Sequence, residues 1–250
     1  MVKTINFRDL TLIEINLEEY LVIACDSLGG IGPKSHDKIK VPGEILGVFT
    51  TKVPLLEVLA AGAKPLTVIN TLSVEMNPTG AEILKGIRQA VEQAGLESDM
   101  IISGSTEENI ETVQSALGIT VIGKVHKNQL RLGKSLVNDL VVSLGSPKVG
   151  EEVLEGKTTD AKLMLTLLKL PWIRELLPVG SKGIGYEAEQ LAKGAGLSLD
   201  LLPNQQVDLK KSAGPATCLL ATLDKRNLPE LLKIVDLPIY QIGYLKQQKN

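Results

Sequence analysis

One short segment of the sequence combines a carboxylate, several glycines and a lysine directly after an apolar run. Residues 20–25 (YLVIAC) are apolar and β-prone, and Asp26 follows them. The segment that follows Asp26 contains Gly29, Gly30, Gly32 and Lys34. Backbone N–H groups of such a loop can cradle phosphate oxygens, the lysine can add a positive charge, and the aspartate suits a magnesium ion. The alternative is a plain loop in which glycine supplies positive φ and Asp26 stabilises a turn.

Strands and helices alternate around this segment and must position it. In the first half, strands are predicted at residues 11–15, 20–25, 65–72, 100–103 and 118–124, and helices at 43–61 and 78–94. In the second half, strands are predicted at 139–144, 217–223 and 238–242, and helices at 160–170, 186–195 and 228–235. The polar run at 126–134 has little to bury. The sequence therefore predicts an α/β (α+β) protein with an N-terminal domain over residues 1–128 and a C-terminal domain over 129–250.

Composition excludes several classes of function. A net charge of -2 and an aromatic content of 3% give no basis for nucleic-acid binding. Two histidines and two cysteines without ligand spacing argue against a zinc site. Cys25 and Cys218 both lie in apolar runs and are predicted to be buried thiols of a reducing compartment. No segment is apolar over a membrane-spanning length or typical of a signal peptide, so we expect a cytoplasmic protein without membrane association.

Three segments in order resemble the AIR synthase (PurM-like) superfamily, which includes thiamine-monophosphate kinase and HypE. They are DSLGGIGPK at 26–34, EVLAAGAKP at 57–65 and SGSTEE at 103–108. In the second half, PVGSKGIGYEAEQLAKGAGL at 178–197 and SAGPATCLLATL at 212–223 are similar to the family's glycine turn and late strand. The resemblance implies a two-domain fold in which the N-terminal sheet pairs with that of a second copy, so that a homodimer forms a barrel.

The resemblance also implies site residues, all of them in the N-terminal half. Asp26 matches the first metal- and phosphate-binding aspartate, and Glu57 takes the place of the second acidic residue. Glu107 and Asn109 are the expected replacements for the lost oxygen ligands. The implied contacts to ATP are Asp26, Gly29, Gly30, Gly32, Lys34, Gly104, Ser105 and Thr106. Lys34 is the candidate for stabilising the transferring phosphoryl group. Asp37 and Glu107 are both conceivable as general base, and Asp37 is the candidate catalytic carboxylate.

Among the members, the three segments look most like the α-ribazole kinases. That branch implies transfer of a phosphoryl group from ATP, with Mg²⁺, to the 5′-hydroxyl of α-ribazole, a nucleoside-like small molecule. Ser105 stands where the family usually has an aspartate, and Pro54 and Leu56 stand where it usually has polar residues. These departures leave open a nucleotide-binding or regulatory protein without turnover, or an ATP-dependent enzyme with another acceptor.

Overall fold

The computed structural model describes residues 3–96 and 100–248. The chain divides into two compact units. The first comprises Met1–Leu59 with Ala63–Asn128, and the second comprises Ala60–Gly62 with Gln129–Asn250. Among the described residues, none of the helices combines the length and the apolar character needed to cross a bilayer.

The first unit is built on a six-stranded sheet with two long helices. Its strands are β1 (Thr4–Phe7), β2 (Leu10–Glu14), β3 (Glu19–Gly29), β4 (Ile31–Gly32), β5 (Ile39–Lys40), β6 (Lys64–Leu72), β7 (Ile101–Thr106) and β8 (Ala116–His126), and its helices are α1 (Gly43–Ala60) and α2 (Ala81–Gln93). The sheet order is β1-β2-β3-β8-β6-β7, and β4 and β5 form a separate pair. Within the sheet, β6 and β7 are parallel and the other neighbours are antiparallel.

Apolar side chains alternate along the strands of this sheet, so only one face is buried. Val22, Val68 and Val121 are fully buried on the covered face. On the other face Cys25, Ile69 and Ile101 are exposed. The prediction that Cys25 is buried is therefore wrong: β3 is half-buried, and Cys25 points to the uncovered side. Cys218 is buried, as predicted.

Helices α1 and α2 cross at glycines, which lets their backbones approach closely. A Cβ atom on Gly47 would lie 2.2 Å from the carbonyl oxygen of Ile83, and one on Gly86 would lie 2.0 Å from that of Glu44. Helix α1 runs through Pro54 without ending there. Helix α2 begins at Ala81, three residues later than predicted, because the preceding Met76–Gly80 segment forms a separate turn with extended backbone at Asn77.

The second unit contains a five-stranded antiparallel sheet and three helices. Its strands are β9 (Leu140–Leu144), β10 (Ile173–Pro178), β11 (Leu197–Leu201), β12 (Leu219–Leu223) and β13 (Ile239–Gln247), and its helices are α3 (Ala161–Leu168), α4 (Gly183–Gly194) and α5 (Leu228–Ile234). The order is β10-β12-β9-β13-β11. Every residue of β9 and β12 is buried, so both faces of the central strands are covered.

Five short strands are absent from the prediction, namely β1, β4, β5, β10 and β11, and the strand predicted at 20–25 ends too early. β4 and β5 have only two residues each, and the other three are short and interrupted by polar residues such as Glu175 and Asp200. The strand predicted to end at Cys25 continues through Asp26 to Gly29, because β8 pairs with it along its whole length. Asp26 is therefore a strand residue and not a turn residue.

Candidate functional site

Three loops of the first unit leave the sheet at the same edge. β8 runs antiparallel to both β3 and β6, and β6 is parallel to β7, so the carboxyl ends of β3, β6 and β7 point the same way. Near these carboxyl ends, Leu28 of β3 and Leu72 of β6 both pair with Leu117 of β8, and Leu72 also pairs with Thr106 of β7. Side chains that follow these strands are consequently gathered at this edge, although they are far apart in the sequence.

Asp26 lies two residues inside this edge, on the covered face of the sheet. It pairs with Ile119, which pairs in turn with Asn70, so the three side chains point to the same face. Ile119 is fully buried and Asp26 is half-buried. Burial raises the pKa of Asp26, and a hydrogen bond from the backbone of Ser27 offsets part of this effect. A cation beside Asp26 would relieve the desolvation of its charged form.

Gly104 of β7 is required by close packing against Asn70. The buried Asn70 side chain donates from Nδ2 to the carbonyl oxygen of Ser103 at 2.9 Å. A Cβ atom at position 104 would lie 2.0 Å from the carbonyl oxygen of Asn70 and 2.5 Å from its Cγ. Ser105, the next residue, pairs with Thr71 and so points to the opposite face from Asp26.

A buried carboxylate organises the glycine-rich loop. Asp37 is only 5% exposed, and its Oδ2 accepts hydrogen bonds from the Lys34 backbone N–H at 2.8 Å and from Ser115 Oγ at 2.7 Å. Its Oδ1 accepts from the Ser115 backbone N–H at 2.8 Å. Asp37 thus fixes the backbone of Lys34 to the start of β8. This arrangement favours a positioning role for Asp37, and its predicted role as general base stays a prediction.

Gly30 and Gly32 have backbone conformations that side-chain-bearing residues rarely adopt, with φ of +73° and +144°. The Gly30 N–H donates to the carbonyl oxygen of Ser115 at 2.9 Å, so it braces the loop itself. A Cβ atom on Gly32 would lie 2.4 Å from Ser115 Oγ and 3.0 Å from Asp37 Oδ2. Gly32 therefore allows the contact between Asp37 and Ser115, besides supplying the turn.

The Lys34 side chain meets a carboxylate from the loop that follows β6. Lys34 Nζ forms an ion pair with Glu75 Oε2, and Thr79 Oγ1 donates to Glu75 Oε1 at 2.6 Å. Burial alone would raise the pKa of Glu75, but the hydrogen bonds from Lys34 and Thr79 outweigh it and lower the pKa to about 2. Glu75 is therefore ionised and already bound to the predicted phosphate-contacting lysine.

Two acidic residues after β7 bind backbone amides nearby. Glu107 accepts from the backbone N–H groups of Asn109 and Ile110 at 2.7 and 3.1 Å, which lowers its pKa. Glu108 Oε1 accepts from Thr106 Oγ1 at 2.7 Å and from the Met76 N–H at 2.8 Å, so it joins the loops after β6 and β7. The metal-binding role of Glu107 stays a prediction.

Glu57 is half-buried near the end of α1. The adjacent Val58 packs on β8, where its Cγ1 would lie 2.5 Å from a Cβ atom on Gly123. Within residues 3–96 and 100–248, no group of three or more carboxylate, histidine or cysteine side chains is arranged to hold a metal ion. Magnesium that accompanies a nucleotide needs only one or two carboxylates besides the phosphates, so Asp26 fits such an ion. The participation of Glu57 stays a prediction.

The structure adds four residues that the sequence analysis does not single out: Asn70, Glu75, Glu108 and Ser115. Glu75 could have been predicted as a site residue, because it is an acidic residue that follows a predicted strand, as Asp26 and Glu107 do. The partners of Ser115 could not be found this way, since its hydrogen bonds to Asp37 span 78 residues.

Comparison with known proteins identifies the first unit. Residues 8–125 match the family model described as AIR synthase related protein, N-terminal domain. This part of the chain is therefore similar to the AIR synthase-related N-terminal domain. No curated protein matches the sequence. The resemblance seen in the sequence is thereby confirmed for the AIR synthase-related domain, while the α-ribazole kinase branch stays a prediction.

Solved structures of similar fold extend over the whole chain. Thiamine-monophosphate kinase from Stenotrophomonas maltophilia K279a has a TM-score of 0.66 at 17% identity, covering 100% of this chain and 90% of that chain. AaThiL, solved in complex with AMPPCP and TMP, has a TM-score of 0.64 at 15% identity, covering 97% and 85%. Hydrogenase maturation protein HypE, solved in complex with ATP, has a TM-score of 0.65 at 15% identity, covering 91% and 77%. At these identities the likeness establishes a mixed α/β fold similar to that of these proteins.

Proposed function

We propose that this protein is an ATP- and Mg²⁺-dependent small-molecule kinase that phosphorylates the 5′-hydroxyl of α-ribazole. The observation that carries the proposal is the meeting of the three loops after β3, β6 and β7 at one edge of the AIR synthase-related domain. It gathers the segment that contains Asp26 and Lys34 with the segment that contains Thr106, which lie far apart in the sequence. AaThiL and HypE share the fold and were solved with AMPPCP and with ATP, which supports a nucleotide as one substrate.

Phosphoryl transfer asks a protein mainly to align its substrates and to offset the charge on the phosphate oxygens. In the proposed enzyme Asp26 would hold Mg²⁺, with Glu57 and Glu107 as further candidates, and the ion would neutralise charge on the phosphates. Lys34 contributes a second positive charge to the transferring group. Asp37 and Ser115 hold the backbone that presents Lys34. Gly104 keeps the neighbouring strand close to Asn70.

The choice of α-ribazole as the acceptor is based on the amino-acid sequence. The segments at 26–34, 57–65 and 103–108 look most like α-ribazole kinases, and a nucleoside offers the primary hydroxyl that a kinase of this kind needs. The test is ADP release by the purified protein at saturating Mg²⁺, with α-ribazole, thiamine monophosphate or no acceptor. We expect ADP release to depend on α-ribazole, with phosphorylated α-ribazole as the product. ADP release that depends only on thiamine monophosphate would keep the kinase and reject this acceptor.

We further propose that the protein is a homodimer in which the uncovered faces of two N-terminal sheets pack together. That face exposes Ile69 and Ile101, which are 38% and 68% exposed. Apolar residues that cluster on one uncovered sheet face are typical of an interface, and an isologous pairing buries the same patch on both copies. Light scattering at micromolar concentration should give twice the chain mass of 26.9 kDa. A monomer would reject the dimer and leave the kinase proposal standing.

A nucleotide-binding protein without turnover is the second candidate function. The replacement of the usual acidic residue by Ser105 favours it. Against it, Ser105 points to the opposite face of the sheet from Asp26, so the substitution removes no oxygen from the face that carries Asp26. Binding of ATP that raises the melting temperature, without ADP release for any acceptor tested, would favour this second function.

A further inference from the structure

The ion pair between Lys34 and Glu75 has no role in the proposed function as described so far. It joins the loops after β3 and β6 over 41 residues of sequence. Both side chains are substantially buried, with 16% of Lys34 and 29% of Glu75 exposed. The lysine that the proposed kinase needs at the phosphates is therefore held by a carboxylate at the same edge of the sheet.

Glu75 is held in place independently of Lys34. Its second oxygen accepts from Thr79 Oγ1 at 2.6 Å, and the N–H of the next residue, Met76, donates to Glu108 Oε1 at 2.8 Å. The Gly80 N–H donates to the Glu75 carbonyl oxygen at 2.9 Å. These bonds keep the Glu75 carboxylate at the edge if the Lys34 ammonium turns to another anion.

We propose that Glu75 is the general base of the kinase and that Lys34 moves from Glu75 to the nucleotide phosphates when ATP binds. This inference rests on the proposed function. An ammonium group has three donors on a flexible stem, so Lys34 can turn toward phosphate oxygens while its backbone stays fixed by Asp37. The departure of Lys34 removes a hydrogen bond and a positive charge that suppress the basicity of Glu75. Proton acceptance thereby becomes linked to nucleotide binding.

The chemical step balances with the two substrates alone. The acceptor hydroxyl gives its proton to Glu75 Oε2 as its oxygen bonds to the γ-phosphorus of ATP. The bond from that phosphorus to the β–γ bridging oxygen breaks, and ADP leaves with the electron pair. Glu75 then releases the proton to water when the phosphorylated product departs.

The other carboxylates at this edge are less suited to accept the proton. Asp37 is buried and accepts three hydrogen bonds from Lys34 and Ser115, which hold the loop together. Glu107 accepts from two amides of its own loop. Glu75 differs, because its Oε2 accepts from the ammonium group of Lys34, which sits on a flexible stem and can turn to another anion.

The test is Glu75→Gln, which keeps the size of the side chain and removes its charge. We expect kcat with α-ribazole to fall by at least about 100-fold. We expect the variant to bind AMPPCP several-fold more tightly in calorimetry, because Lys34 is released and a negative charge beside the phosphates is gone. A residue that only supports the fold would weaken nucleotide binding. A kcat within about threefold of wild type, or weaker binding of AMPPCP, would overturn the inference while wild-type turnover keeps the kinase.

Glu14→Gln is the matched control. Glu14 forms an ion pair with Lys127, and its side chain is 24% exposed, close to the 29% of Glu75. Glu14 lies in β2 and is not part of the edge that carries Lys34. This variant should retain wild-type kcat and wild-type affinity for AMPPCP. If the wild-type protein releases no ADP with any acceptor, the proposed function fails first, and the role of Glu75 fails with it.

Discussion

The two sheets of this protein differ in how completely the chain covers them. In the C-terminal sheet Val141 and Leu220 belong to the core under α4. Leu140, Val142 and Leu144 point to the other face and are also fully buried. In the N-terminal sheet one face is buried by α1 and α2, while the other exposes apolar side chains. The chain therefore covers both faces of the C-terminal sheet but only one face of the N-terminal sheet.

The same contrast holds for their polar groups. Glu175 in the C-terminal unit is fully buried and accepts hydrogen bonds from the N–H groups of Gly133, Lys134 and Ser135, so its charge serves the packing of a connecting segment. Asp26 in the N-terminal unit is half-buried, and burial raises its pKa. A desolvated carboxylate is a candidate for function. The buried carboxylate of the C-terminal unit thus serves packing, whereas the desolvated carboxylate of the N-terminal unit is one that the proposed function uses.

The largest expected effect comes from placing a charge on each sheet. Val142→Asp buries an unpaired carboxylate between covered faces and should lower the free energy of unfolding by more than about 4 kcal/mol. Ile101→Asp adds the same charge to an exposed position and should change the stability of the monomer by less than about 0.5 kcal/mol, while it dissociates the proposed dimer. Urea unfolding and light scattering measure the two effects. Equal destabilisation by both variants would remove the contrast between the sheets.

Asp26→Asn tests whether the N-terminal carboxylate serves a ligand. The change keeps the size of the side chain and deletes the charge that binds the metal, so Mg²⁺-dependent phosphoryl transfer should fall by about 10²-fold or more, or about 3 kcal/mol. Excess Mg²⁺ should rescue part of the loss. Steady-state kinetics across a magnesium titration measure it. Normal turnover at limiting Mg²⁺ would show that Asp26 has no part in metal binding.

Glycine substitutions separate backbone strain from damage to the site. Gly30 and Gly95 have similar φ of +73° and +66°, and a Cβ atom on either would meet no atom closer than 3.7 Å. Alanine at each should therefore cost about 1–2 kcal/mol of stability. Gly32→Ala should cost more, because its Cβ collides with Ser115, and it should also weaken nucleotide binding. Thermal melts measure the stability of the three variants, and calorimetry measures their affinity for the nucleotide. Equal stability and equal affinity of all three would rule out a special role for the contact between Asp37 and Ser115.

The smallest expected effect is that of the Asp26 charge on the pH dependence of stability, and the pKa of Glu75 shifts in the opposite direction. Glu75 has its pKa lowered to about 2 from an ordinary 4.5, so it stabilises the fold above about pH 4.5 and loses this contribution as the pH falls toward 2. Asp26 has a raised pKa. The folded state then binds its proton more tightly than the unfolded chain, and stability falls as the pH rises from its ordinary 3.8 through the raised value.

Asp26→Asn should consequently be more stable than wild type at neutral pH without ligand, and the advantage should vanish in acid. Urea titrations between about pH 3 and 7 measure the difference. Equal stability of the two proteins across this range would show that the Asp26 charge is not desolvated in the folded protein.

The alternation of elements and the segments of the site were predictable from the sequence because both are local. Asp26, Gly30, Gly32 and Lys34 form one continuous segment, and strong periodicity identified α2. The pairing of Lys34 with Glu75 was not predictable, because it depends on β3 and β6 ending at the same edge. The continuation of β3 beyond Cys25 was also missed, since the stabilising partner is β8, about a hundred residues later.

That last feature bears on synthesis at the ribosome. Glu19 pairs with His126 and Gly29 pairs with Ala116. One side of β3 therefore has no partner until β8, about a hundred residues later, has left the ribosome. At about 5–20 residues per second, translation leaves this edge open for roughly 5–20 s. During that interval the strand that carries Asp26 is a half-paired template, which other nascent chains could join. The strand that carries Asp26 is therefore open to intermolecular pairing while the chain is being made.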